Sequence, residues 1–216
     1  MRVLIVTSGD LTPTLRLHQL AAGHDLCLAA DGGLGHAQVL GITPDLLLGD
    51  LDSVRPQTLA SYPGPRRTFP TSKDQTDLEL ALVEALVHQP WAITILGGLG
   101  KRFDHSLANL FLLADLAGRG IVARLDTGRQ GALVLSETRP VLVLDAPAGA
   151  IVSLIPLTVE VTGITTWGLE YPLQDATLVR HQARGVSNVA TAPAAQVRLV
   201  KGLLAVIVQY LPEETP

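Results

Sequence analysis

The sequence predicts two fold classes in succession. An α/β domain on a doubly wound, mostly parallel, Rossmann-like sheet comes first, and a small all-β domain of the sandwich or jelly-roll kind follows. Two observations carry this. Up to about residue 125, short apolar runs alternate with helical periodicity, the grammar of parallel strands joined by helices. Beyond about residue 127 only short runs punctuated by Pro and Gly remain. The boundary falls near Asp126–Gly131, giving domains 1–127 and 128–216. With 216 residues, 47% of them apolar, the chain has ample material for real cores.

Arg2–Val6 reads as a buried strand, and Pro13–Ala22 as a helix after a Thr/Pro start. Asp25–Ala30 is a second strand ending at Asp31-Gly32-Gly33, and Leu34–Leu40 a short helix stopped by Gly41. Asp45–Leu48 is a third strand, Arg55–Ser61 a short helix, and Arg66–Phe69 a brief strand closed by Pro70. From Thr76 to Val87, Leu78, Ala81, Leu82, Ala85 and Leu86 repeat with the helical period. Thr76 and Glu79 fit a capping box at its start. Trp91–Leu96 is a strand, Asp104–Leu116 a helix stopped by Gly118, and Ile121–Leu125 closes the series. The β module then offers Gly131–Leu135, Val141–Leu144, Ile151–Leu154, Val159–Val161, Ala176–Val179 and Leu203–Val208.

Composition narrows the function. A net charge of −4 argues against nucleic acid or an anionic membrane as partner. No apolar run is long enough to span a bilayer, and MRVLIVTSGD reads as an opening strand rather than a signal peptide. The single cysteine, Cys27, excludes an internal disulfide and a thiolate zinc cluster. The six histidines show no ligand spacing. A cytoplasmic protein is the expectation.

The stretch Ile42–Val54, ITPDLLLGDLDSV, carries the strongest chemical signal. A buried strand runs into Asp50-Leu51-Asp52, and in extended backbone those two carboxylates point the same way. Like charges so placed need a partner, and a hard cation such as Mg²⁺ supplies one. Taken alone, the aspartates would equally suit a surface turn that caps a helix. Other strand ends strengthen the cation reading. They carry Asp31-Gly32-Gly33, then Lys73-Asp74-Gln75-Thr76-Asp77, then Gly97-Gly98-Leu99-Gly100-Lys101-Arg102 with Asp104 and His105. Ligands of open parallel sheets bind at this edge. Lys73, Lys101 and Arg102 suit phosphate, and glycines let backbone N–H groups approach it. The loop is no P-loop, because Ile95 stands at the first Gly position and Arg102 replaces the Ser/Thr. Individually, Asp77 would also complement a helix dipole, Lys73 would serve as a solvated charge, and Asn109 as a satisfied polar edge.

These motifs resemble the thiamine pyrophosphokinases. ADGG at Ala30–Gly33, PDLLLGDLDS at Pro44–Ser53, KDQTDLELAL at Lys73–Leu82 and RFDHSLANL at Arg102–Leu110 match that family in order and spacing. GITTWGLEYPL at Gly163–Leu173 and RGVSN at Arg184–Asn188 are similar to its thiamine-binding half. The resemblance implies transfer of a diphosphoryl group from ATP to the hydroxyl of thiamine, with release of AMP. It further implies Mg²⁺ held by Asp50, Asp52 and Asp77. Asp31, Gly32, Gly33, Lys73, Asp74, Thr76, Lys101, Arg102 and Asp104 would serve the ATP site, with Arg102 and Asp104 also in catalysis. Thr165, Tyr171, Ser187 and Asn188 would face thiamine. A homodimer with the active site at the subunit interface is implied as well. Lys101 departs from the family, standing where many relatives carry Gly, and Glu170 stands where relatives often carry Lys. Two rivals are a diphosphokinase for another primary alcohol, such as a hydroxymethyl-pterin, and a nucleotide-sensing module without turnover.

Overall fold

A computed structural model describes residues 1–72 and 74–211. The chain divides into two compact units, the first of residues 1–112 with 125–128, the second of residues 113–124 with 129–216.

The first unit is built on β1 (Arg2–Val6), β2 (Leu26–Ala30), β3 (Leu46–Gly49), β4 (Arg66–Thr68) and β5 (Ala92–Leu96). All four pairings are parallel, in the order β5-β1-β2-β3-β4. Strands are therefore added outward from β1 to β4, and the chain then returns to the other side of β1 for β5. That reversal opens a crevice at the carboxyl ends of β1 and β5, the place where such sheets hold ligands. The last four residues of β1 and of β2 are buried, as the continuous apolar runs require of strands covered on both faces. The edge strand β4, RRT, is exposed throughout.

Local chemistry sets the helix starts. α1 (Leu15–Ala21) begins two residues after the expected Pro13, because the Thr14 hydroxyl accepts the Leu17 N–H and caps it. α2 (Gly33–Val39) begins at Gly33, where a β carbon would collide with the Val6 carbonyl, so only glycine lets the helix sit this close to β1. α3 (Pro56–Ser61) has proline in its first turn. α4 (Asp77–Val87) has the predicted capping box: Thr76 N–H donates to Glu79 Oε2 at 2.8 Å, and Glu79 N–H to Thr76 Oγ1 at 3.2 Å. α5 (Phe103–Gly118) is longer at both ends than the expected Asp104–Leu116. Among the described residues no helix is long and apolar enough to cross a membrane. The tail of β6 (Val122–Asp126) belongs to the first unit, where fully buried Asp126 accepts from the two terminal guanidinium nitrogens of Arg16 at 2.6 and 3.0 Å.

The second unit is antiparallel. One sheet runs β12 (Asn188–Val189), β9 (Ile151–Pro156), β14 (Leu204–Gln209), β7 (Gln130–Leu135). The other runs β11 (Ala176–Val179), β10 (Glu160–Trp167), β13 (Gln196–Arg198), β8 (Val141–Val143). Both sheets feed one buried cluster, with Leu135, Val152, Leu154 and Val206 from the first and Val161, Ile164, Leu178 and Val197 from the second. β10 is much longer than the expected Val159–Val161. Its pairing with β11 shifts register between Val161 and Ile164, and Gly163 there takes φ 69°, so the strand continues through a bulge that reads in sequence as a break. The two short strands β12 and β13 have no counterpart among the expected runs.

Candidate active site

The crevice of the first unit holds a cavity of about 320 Å³, lined by the loops that follow β1, β2 and β5, by Ser53, and by the start of α4. Its floor consists of two loops tied to each other. Thr7 N–H donates to Leu96 O at 2.8 Å, Gly9 N–H to Gly97 O at 2.7 Å and Asp10 N–H to Leu99 O at 2.7 Å. The Thr7 hydroxyl adds a bond to Gly97 O at 2.5 Å, and Lys101 Nζ reaches Ser8 O at 2.5 Å. Asn109, buried on α5, donates its amide to Gly98 O at 2.7 Å. His36 Nδ1 donates to Thr7 O at 2.8 Å; burial holds this imidazole below its ordinary pKa, so it is a neutral donor. Lys101, exposed at the rim, takes the left-handed φ of 53°. Glycine would enter such a backbone without the Cβ penalty.

Carboxylates gather on the β2–β3 side. Asp31, Asp50 and Asp77 each offer an oxygen within 4.8 Å of the others. Parallel pairing produces the meeting: Asp31 N–H donates to Leu48 O at 2.7 Å, so the ends of β2 and β3 lie side by side. Asp31 is buried, and its Oδ1 has no hydrogen-bond partner. Burial raises its pKa, with the Asp77 and Asp52 charges adding to the effect and bonds from Ser53 and Gly32 opposing it. An acceptor-only oxygen hidden from water without a donor, beside two further carboxylates, is the environment a hard cation satisfies. Asp52 lies outside the trio. Leu51 has φ 66°, which interrupts the extended backbone on which a side-by-side Asp50 and Asp52 depends. Asp52 is exposed, its Oδ1 accepting the Ser53 hydroxyl at 3.0 Å, yet it stays near enough for its charge to act on Asp31.

On the far side of the cavity, Arg102 clasps Asp104 with two bonds of 3.1 and 2.5 Å. That grip pulls the Asp104 carboxyl down to about 2 and raises the Arg102 guanidinium. Both side chains are exposed. Gly32 and Gly33 form the turn from β2 into α2, Thr76 caps α4, and Asp74 is exposed just before it. Lys73, an expected ATP contact, lies outside the described residues. Thr7, Ser8, Gly9 and Ser53 line the cavity without having been assigned from sequence. Their signal is positional, VTSGD at the end of the first strand and the Ser that follows Asp52.

The expected acceptor-facing residues all belong to the second unit. Tyr171 is 65% exposed. Thr165 Oγ1 accepts the Asp175 N–H at 3.2 Å. Ser187 is exposed with φ 61°, and its N–H donates to Ser153 Oγ at 3.1 Å. Asn188 is buried, its carboxamide bonded to the Tyr171 backbone.

The chain is similar to known proteins over nearly its whole length. Residues 17–124 match the family model for the catalytic domain of thiamin pyrophosphokinase, and residues 141–204 that for its vitamin B1 binding domain. A curated relative, thiamine pyrophosphokinase of Bacillus subtilis, is 29% identical over 187 residues, covering 85% of this chain and 87% of that one. The crystal structure of thiamine pyrophosphokinase from Bacillus subtilis superposes with a TM-score of 0.83 at 28% identity, covering 98% of this chain and all of that one. A thiamin pyrophosphokinase family protein from Enterococcus faecalis gives a TM-score of 0.78 at 26% identity, with 98% and 100% covered. With the catalytic-domain match alone spanning half its length, and its binding-domain match following in the same order, the chain belongs to the thiamin pyrophosphokinase family.

Proposed function

We infer that this protein is a thiamine diphosphokinase. The hydroxyl oxygen of thiamine attacks the β-phosphorus of ATP while its proton passes to a carboxylate of the site, the bond from that phosphorus to the oxygen bridging the α-phosphate breaks, and thiamine diphosphate and AMP leave. The observation that carries this for the chain's own residues is the trio Asp31, Asp50 and Asp77 on the β2–β3 side of the crevice, across a cavity that the tied glycine loops also line. The orphaned Oδ1 of Asp31 fits Mg²⁺, which these three residues would hold, with Asp52 beside them. When bound, the ion would neutralise phosphate charge. Phosphoryl transfer depends mainly on positioning and charge, and the remaining groups supply both. The Lys101 ammonium at the rim of the Gly97–Lys101 loop meets the polyphosphate. Arg102, oriented by Asp104, faces the charge that develops toward AMP.

Residues 1–127 would form the ATP- and Mg²⁺-binding catalytic domain, Rossmann-like in plan, and residues 128–216 a β-sandwich domain for thiamine. The acceptor carries a cationic thiazolium and a flat pyrimidine ring, either suited to the exposed Tyr171 ring. The protein would act in the cytoplasm as a homodimer, with the active site completed by a second copy. The exposed stripe Phe103, Leu107 and Phe111 on α5 is a surface for that copy to cover.

The test is ³¹P NMR of the protein with ATP, Mg²⁺ and thiamine. Thiamine diphosphate and AMP in equal amounts are expected. ADP in place of AMP would mean transfer of a single phosphoryl group and would overturn the reading, as would no turnover of thiamine.

A further inference from the structure

The loop Gly168–Asp175 of the second unit combines two properties that seldom coincide. Its backbone is tied at nearly every residue, and its largest side chain is out in solvent. Glu170 N–H donates to Val189 O at 2.9 Å, and Leu169 forms an isolated antiparallel bridge with Ala190. Leu173 N–H donates to Thr166 Oγ1 at 2.9 Å, Thr166 N–H returns to Leu173 O at 3.0 Å, and Asp175 N–H donates to Thr165 Oγ1. At the centre, Asn188 Oδ1 accepts the Tyr171 N–H at 3.0 Å and the Val189 N–H at 2.9 Å, while its Nδ2 donates to Tyr171 O at 2.8 Å. The one carboxamide thus closes both backbone groups of Tyr171. Asn188 is itself 8% exposed, and the Tyr171 ring beyond it is 65% exposed.

Asn188 is firmly seated. It pairs with Val152 of β9, and the residue before it takes a left-handed backbone, pinned through its N–H to Ser153 Oγ. With Oδ1 taking two donors and Nδ2 committed to a carbonyl, the carboxamide is turned toward the loop. A loop held this way loses little conformational freedom when a ligand docks, and that saving appears as affinity.

We propose that Asn188 is a positioning residue: its carboxamide fixes the backbone of Tyr171 so that the exposed ring is a pre-set platform for a flat ring of a cationic acceptor. Asn188 acts on the acceptor through Tyr171. This rests on the diphosphokinase reading for the identity of the acceptor, and on the loop geometry alone for the positioning.

The experiment is a double-mutant cycle, Asn188→Ala, Tyr171→Ala and the pair, read by the KM for thiamine and for ATP, together with hydrogen exchange at the Tyr171 amide. Each single substitution should raise the thiamine KM about tenfold, the scale of one cation–aromatic contact. The double variant should go no further, and the ATP KM should hold. Asn188→Ala should speed Tyr171 amide exchange about tenfold or more, the scale of one lost hydrogen bond. Asn188→Asp guards against a variant that fails to fold, because it keeps the side-chain volume and the acceptor for Tyr171 N–H while putting a carboxylate oxygen in place of the donor to Tyr171 O. Its amide should stay protected and its thiamine KM lie between parent and Asn188→Ala. Additive effects in the cycle would overturn the proposal. So would an Asn188→Asp variant with a protected amide and a KM as poor as that of Asn188→Ala, since Asn188 would then touch the acceptor itself. A parent that does not turn over thiamine would sink the diphosphokinase reading instead, and the exchange measurement would then decide the positioning by itself.

Discussion

Asn109 sends its side-chain amide to the carbonyl of Gly98, eleven positions earlier, at 2.7 Å, and so ties helix α5 to the glycine loop after β5. Both residues are buried. Asn109→Ala leaves that carbonyl without its donor, at a cost of about 1–3 kcal/mol. The loop then loses its set position, and the KM for ATP is expected to rise several-fold with thiamine KM little changed. Thermal unfolding and paired substrate titrations check this; an unchanged melting temperature with normal ATP use would make the bond incidental.

Asp31→Asn separates charge from shape. Burial and the neighbouring carboxylates favour the neutral form of Asp31, and Asn is its uncharged isostere, tolerated at the left-handed φ of 47°. Without divalent cation the variant should be more stable than the parent at neutral pH. The sign follows from a folded-state pKa raised above its ordinary 3.8. The parent's share of stability is complete below 3.8 and is lost as pH climbs through the folded value, so the gap between the two proteins should widen with pH over that range. Mg²⁺ with ATP should raise the melting temperature of the parent far more than that of the variant. A variant still stabilised equally by Mg²⁺ would remove Asp31 from the cation site.

Lys101 combines a left-handed backbone with a cation at the rim. Lys101→Ala keeps the backbone strain and discards the cation; Lys101→Gly discards both. Equal losses in ATP affinity are expected for the two. Lys101→Gly should nonetheless be the more stable by about 1 kcal/mol, because glycine enters the left-handed region without the Cβ penalty. Calorimetry beside ATP titration decides; unequal affinities would mean that backbone shape, rather than charge, governs that contact.

Burial pushes the Cys27 thiol up to about 12. The native protein should resist alkylation at pH 8, where an ordinary thiol reacts readily, and should release one equivalent after unfolding. Because the folded value lies above 9.0, the associated stability is complete below pH 9 and declines between 9 and 12. Rapid labelling of the native protein at pH 8 would contradict this packing.

Much of this was legible in advance for identifiable reasons. Parallel strands covered on both faces announce themselves as apolar runs, so β1, β2, β3 and β5 were placed within a residue or two at each end. The capping box at Thr76 and Glu79 is a local device, read directly. What escaped depends on partners distant in sequence. Asp31 enters the carboxylate trio because β2 pairs with β3, whereas the pattern around Asp50 and Asp52 presumed extended backbone that Leu51 abandons. β12 and β13 owe their existence to the strands beside them, with too few residues for a period to show. Short antiparallel strands of that kind are defined by neighbours rather than by composition.

The ladder between Thr7–Asp10 and Gly97–Lys101 bears on how the two loops can drift in length. Each supplies the other's backbone partners at several successive points, and a β carbon on Gly9 would overlap the Gly97 and Leu99 carbonyls. An insertion or deletion in one loop would slip every rung beyond it and break these backbone pairings on the cavity floor. Indels in these two segments should therefore arise as compensated pairs, which makes the pair a single heritable unit although some ninety residues separate its halves.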